Sequence, residues 1–289
     1  MKHMKKLAAL GLTAVMSLTL LSACSSGNNT TGTADSPAPV DESTAPVGES
    51  TAPAGEETSF TTIEAGKLTM ATNAQFPPYE LVSDGEGYEG TGFEGIDVEL
   101  AYALAQKLGL ELQIDDMDFD GALVAVQNGK CDVVLAGLTY NEERDQVMDF
   151  TDTYANGVQV VIVPEDSDIA SLDDLAGKKI GTQRGTTGYI YTSDEFGDDA
   201  VSAYDDGATA VQALMNGQVD CVVIDNAPAQ EYVKANEGLK ILDTEYANED
   251  YCIAVDEGNT ALLDALNTAL DELQADGTVQ AILDKYIQE

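Results

Sequence analysis

Two stretches of this chain repeat one pattern. Ala125-Val-Gln-Asn128-Gly-Lys-Cys-Asp132-Val-Val-Leu is echoed by Ala210-Val-Gln-Ala-Leu-Met-Asn216-Gly-Gln-Val-Asp220-Cys-Val-Val-Ile. From Asn-Gly onward the two align without a gap, Asn128 with Asn216 and Asp132 with Asp220. Each reads as the end of a helix, an Asn-Gly stop and a buried strand. One copy falls in each half of the chain, so the pattern predicts two similar lobes, each with its own sheet.

The surrounding sequence fits that frame. Apolar strand candidates at 68–72, 110–114, 133–136, 158–163, 179–183, 219–225, 239–242 and 252–255 alternate with helical patterns. Ile96, Leu100, Leu104 and Leu108 make one helical stripe, ended by Gly109. Leu262, Leu266, Leu270 and Leu273 make another, and Val279, Ile282, Leu283 and Tyr286 a last one. Strand–helix alternation argues for an α/β fold with mostly parallel sheets.

The ends are different. Lys2, Lys5 and Lys6 precede the apolar run Leu7–Leu21, which is short for a membrane span, and Leu21-Ser-Ala-Cys24 follows. Residues 1–23 read as a secretory signal. LSAC resembles a bacterial lipobox, which implies cleavage before Cys24 and lipidation there; an ordinary signal peptide is the alternative. Residues 25–59 are Ser, Thr, Gly, Pro, Ala and Glu, with Glu42-Ser-Thr-Ala-Pro-Val-Gly48 repeated at 49–55. With almost nothing to bury, this segment reads as a disordered tether, spanning roughly 35 Å.

The chain has 52 acidic and 13 basic residues, a formal charge of −39. Losing the signal takes away three lysines and no acids. That excludes nucleic acid as a partner and leaves membrane anchoring to the lipid. The only histidine is His3, inside the signal, so the mature chain lacks the commonest general base. No cofactor, metal site or catalytic residue is expected. Cys131, Cys221 and Cys252 are an odd number beside apolar runs and read as buried thiols.

Three segments carry ligand-type chemistry. Gly181-Thr-Gln183-Arg-Gly185-Thr186-Thr187-Gly188 joins a strand to a helix start, whose free N–H groups suit an anion; a plain capped turn is the other reading. Thr139–Arg144 follows the strand 133–136, at the strand end that lines the crevice in open α/β sheets. Arg144 could grip a carboxylate through two hydrogen bonds; taken locally, a surface ion pair with Glu142, Glu143 or Asp145 is favoured. Asp225 ends an apolar strand and could cap the next helix or bind an ammonium group. Phe76 and Phe119 are aromatic candidates for a ligand or simply for the core. Together these describe a receptor for a zwitterion.

The ordered set ATNAQFPPYE, GFEGIDVELAYALAQKLG, DFDGALVAVQNGKCDVVLAGLTYNEERDQVMDFTDTY, DLAGKKIGTQRGTTG and ADGTVQAILDKYI resembles the amino-acid-binding proteins of bacterial ABC importers, solute-binding family 3, from about Lys67 onward. The resemblance implies a two-lobed periplasmic-binding-protein-like fold (type II) with a two-stranded hinge near Tyr154–Val158 and Ala247–Tyr251. Lobe 1 would be 60–154 plus 251–289, and lobe 2 155–250. It further implies that Arg144, Thr139, Thr186 and Thr187 hold a ligand carboxylate. Gly137 and Asp225 would take the ammonium, Phe76 and Phe119 would flank the side chain, and Asn73 and Gln183 would complete the site. Relatives often carry acids where this chain has Asn73 and Gln75, which points to a neutral polar amino acid first and a basic one second. The implied partners are a free amino acid, an ABC permease with its ATPase, and a membrane reached through the lipid; the protein itself is expected to be a monomer. A dehydratase of the same fold and a sensory module for a membrane partner are the rival readings.

Overall fold

The computed structural model describes residues 60–287; the signal, Cys24 and the tether lie outside the described residues. The strands of the first half are β1 (Lys67–Thr72), β2 (Gln75–Phe76), β3 (Glu80–Val82), β4 (Phe93–Glu94), β5 (Glu111–Asp116), β6 (Val133–Val134) and β7 (Met148–Phe150). Then come β8 (Ala155–Pro164), β9 (Ile180–Gln183), β10 (Val201–Tyr204), β11 (Cys221–Asp225), β12 (Leu239–Ile241), β13 (Ala247–Tyr251) and β14 (Ala254–Asp256). The α-helices are α1 (Ile96–Leu108), α2 (Phe119–Gln127), α3 (Thr187–Phe196), α4 (Gly207–Met215), α5 (Asn226–Ala235), α6 (Thr260–Ala275) and α7 (Thr278–Tyr286).

These elements build two main sheets. One runs β5-β1-β6-β14-β7; the other runs β10-β9-β11-β8-β12, with β13 also paired to β8. The repeated motif sits at the same place in each. Asn128 and Asn216 end α2 and α4, and Gly129 and Gly217 take positive φ after them. The two aspartates then make the same pair of bonds. Asp132 donates its N–H to Thr69 O and its carboxylate accepts the Thr69 N–H, both at 2.8 Å. Asp220 does the same with Lys179, again at 2.8 Å. Each motif thus locks its strand in parallel beside its neighbour, β6 beside β1 and β11 beside β9.

The expectation of mostly parallel sheets needs correcting. Each sheet has three parallel strands, but β8 and β14 enter antiparallel, and β12, β13 and β7 pair antiparallel to them. The reason is connectivity: β8 and β14 are the strands that arrive from the other sheet, and they come in from the opposite direction. Residues 155–159 and 247–251 pair with each other, Ala155 opposite Tyr251 and Gln159 opposite Ala247. They carry the chain from one sheet to the other and back.

Helices cover the sheets through the predicted stripes. Ile96, Leu100 and Leu104 are buried, as are Leu262, Leu266, Leu270 and Leu273. Gly109 ends α1 in the left-handed conformation, its N–H reaching back to Ala105 O and Gln106 O. Burying each such leucine contributes about 1.5–3 kcal/mol. The three cysteines are buried and unpaired, and burial pushes the thiols of Cys131 and Cys221 up to about 12.

Candidate functional site

The parallel strands of both sheets end facing one crevice, as open α/β sheets dictate. After β6 the chain runs through Ala136 and Gly137 into a loop pinned along 250–252: Cys252 N–H donates to Leu138 O, and Tyr140 N–H to Asp250 O. The loop then turns, with Arg144 N–H donating to Asn141 Oδ1 at 2.8 Å. This turn sends the Arg144 side chain inward while Glu142, Glu143 and Asp145 stay exposed.

Arg144 is only 7% exposed. Its guanidinium donates to Thr139 O at 2.6 Å and Gly185 O at 2.9 Å, and it lies 5.5 Å from the centre of the Phe119 ring. Among the described residues it has no acidic partner within ion-pair distance, so the surface ion pair that its neighbours suggest does not form. Arg184, the other arginine, is exposed and pairs with Asp205 at 3.4 Å. Burial lowers Arg144 to about 10, leaving it charged near neutral pH. A buried cation held only by two carbonyls is set up to meet an anion.

Arg144 faces a small, nearly filled cavity of about 20 Å³. Asn73, Phe76, Phe119, Gly137, Thr139, Arg144, Gln183, Thr186, Thr187 and Asp225 all line it, and Glu80 and Ala136 complete the wall. Helix α3 begins there, with Thr186 as its cap, which adds the positive end of a helix beside Arg144.

The far wall is acidic. Asp225 occupies the cap position of α5, yet its side chain makes no capping bond. Instead it accepts from Gln159 Nε2 at 2.8 Å and from the Tyr251 hydroxyl. Burial first, then the charge of Glu249, pushes Asp225 up. Glu249 accepts from Thr139 Oγ1 and Gln159 Nε2. Glu80 is fully buried, and neither carboxylate oxygen receives a hydrogen bond. Four buried acids, Glu80, Asp97, Asp225 and Glu249, therefore surround a cavity lined by one cation.

Glu80 is the residue that sequence reasoning missed. A carboxylate on β3 between Tyr79 and Leu81 was the available signal. Gln75, expected to shape the side-chain pocket, lies outside the cavity and is exposed. Successive residues of an extended strand point to opposite faces, so with Phe76 facing in, Gln75 faces out. Asn73 is in the wall but already engaged: Nδ2 donates to Met117 O at 3.0 Å, and Oδ1 accepts from Gln183 Nε2 at 2.9 Å.

That last bond crosses between the two sheets, as do Arg144 to Gly185 and Tyr232 hydroxyl to Gln75 O at 2.9 Å.

Known proteins place this geometry. Residues 68–289 match the bacterial extracellular solute-binding proteins, family 3. ABC transporter arginine-binding protein 1 of Escherichia coli (strain K12) is 33% identical over 80% of this chain and 95% of its own length. L-cystine-binding protein TcyJ of the same strain is 32% identical over 77% of this chain and 83% of its own. An ancestral arginine-binding protein bound to glutamine superposes with a TM-score of 0.72 and 41% identity, covering 78% of this chain and all of that one. The chain belongs to the bacterial extracellular solute-binding proteins of family 3, with the two-lobed type II fold of periplasmic amino-acid-binding proteins.

Proposed function

We propose that the protein captures one free L-amino acid outside the cytoplasm and delivers it to an ABC permease driven by its ATPase. The observation that carries this reading is the pairing of an unmatched buried guanidinium with an acidic wall across one small cavity. Arg144, Thr139 and the start of α3 take the ligand carboxylate, and Asp225 and Gly137 take the α-ammonium. Phe76 and Phe119 flank the side chain, which reaches Asn73, Gln183 and Glu80.

Glu80 reverses the order of ligand classes suggested by the sequence alone. Two bare carboxylate oxygens call for a side chain that donates hydrogen bonds, and a cationic one also offsets the surplus of buried negative charge. A basic amino acid is therefore the first reading and a neutral amide such as glutamine the second. Relatives named as arginine-, histidine-, cystine- and glutamine-binding proteins support an amino acid of this range.

In this reading 60–154 plus 251–289 and 155–250 form lobes that close about the paired strands 155–159 and 247–251. Lipid on Cys24 and the 25–59 tether hold the monomer at the outer face of the membrane. A thermal-shift screen of the twenty amino acids tests the proposal, because a ligand of the folded state raises its apparent stability. L-Arginine or L-lysine is expected to give the largest shift; no shift with any amino acid would overturn the reading.

A further inference from the structure

Glu80 has a second carboxylate as its neighbour. Asp97, fully buried on α1, sits beside it: the Asp97 N–H donates to the carbonyl of Tyr79, the residue before Glu80, at 2.9 Å, and the two carboxyls interact. Two ionised carboxylates supply only acceptors, so this contact becomes a hydrogen bond only when one of them carries a proton. Asp97 is already provided for as an anion: Oδ2 accepts the Gly137 N–H and Oδ1 the Tyr154 hydroxyl, each at 2.8 Å. Glu80 has no donor at all. The proton therefore belongs on Glu80, where its O–H can donate to Asp97.

Resting on the amino-acid-binding reading, we propose that Glu80 and Asp97 hold one proton that leaves for solvent when a cationic ligand side chain enters and stays when a neutral amide enters. A cationic side chain against Glu80 stabilises the carboxylate. A neutral amide can instead use the protonated Glu80 as it stands. The pair would thus set the preference between the two ligand classes according to pH.

The surroundings agree with this assignment. Charges and phenols within electrostatic reach of Glu80 are Asp97 on α1, Asp225 at the end of β11, Asp116 at the end of β5, and Tyr79, Tyr154 and Tyr232. Burial, then the charge of Asp97, raises Glu80 well above the carboxylate range. Asp97, stabilised by its two donors against burial, rises only to about 6. The three phenols are pushed up by burial and stay neutral. Asp225 also titrates, but it meets the α-ammonium that every amino acid brings. Its effect cancels in the ratio of two ligands' affinities.

Calorimetric titration with L-arginine and L-glutamine, in buffers of different protonation enthalpy, counts the protons exchanged. The expected result is that L-arginine releases about one proton more than L-glutamine near pH 6–7. The arginine-to-glutamine affinity ratio should rise with pH by up to about tenfold per unit. Glu80→Gln, whose amide can still donate to Asp97, is expected to remove both the proton difference and the slope of the ratio. Should that variant not fold, the proton count of the unaltered protein decides. Equal proton counts with a pH-independent ratio would overturn the inference while leaving amino-acid binding intact. Binding of neither probe would overturn both.

Discussion

A buried guanidinium has to be matched, and at Arg144 the match is supplied by geometry as much as by charge. Two of its five N–H groups are fixed on Thr139 O and Gly185 O, which leaves the remaining donors for a ligand. Arg144→Lys keeps the charge but loses the planar fork. It is expected to lower amino-acid affinity at least tenfold, about 1.4 kcal/mol, with an unchanged unfolding midpoint in the absence of ligand. Gly137 is constrained from the other side. It sits at φ 51°, and a Cβ there would lie 2.7 Å from Phe76 Cε1. Gly137→Ala should cost about 1–3 kcal/mol of stability and weaken binding by displacing the Phe76 ring, measurable by denaturant unfolding and calorimetry.

At the scale of elements, legibility followed self-sufficiency. The α1 stripe and its Gly109 stop were readable because a helix records its buried face in its own periodicity. The strand β13, Ala-Asn-Glu-Asp-Tyr, was readable only through the family resemblance, which put a hinge strand there, and not from its own pattern: two of its five residues are buried and most are polar. It is a strand because β8 pairs with it, and no local pattern announces a partner. Likewise β10 is half-buried at every position and shows no alternation. The lining of the cavity was readable where residues come at strand ends, as with Arg144, Thr186 and Asp225. It was not readable at Glu80, whose orphaned state is a property of the packing around it. In the proposed closure of the lobes, contacts between elements also take part. The Tyr232 hydroxyl reaches Gln75 O outside the cavity wall. Tyr232→Phe removes about 1 kcal/mol from the closed arrangement, so ligand dissociation should speed by roughly fivefold in stopped-flow measurements while the association rate changes little.

For the whole molecule, the acidic cavity gives an unusual dependence on pH. Asp97 rises from 3.8 to about 6 on folding, and Glu80 and Asp225 also rise. Over pH 4 to 7 the folded state therefore binds more protons than the unfolded chain, and stability falls as pH rises. Asp97 alone contributes on the order of 3 kcal/mol to that fall. The formal charge of −39 acts in the same direction through self-repulsion. The ligand-free protein should unfold at a higher temperature near pH 5 than near pH 7.5, and a basic amino acid should recover much of the difference at the higher pH. A scanning-calorimetry series with and without L-arginine checks both parts.

In the proposed binding mode one amino acid sits between Arg144 and Asp225. Isothermal titration calorimetry with L-arginine on the protein, Arg144→Ala and Asp225→Ala tests it most directly. One site per chain is expected, with at least a tenfold loss of affinity in each variant and the fold retained in both. Near-unaltered affinity in both variants would contradict it.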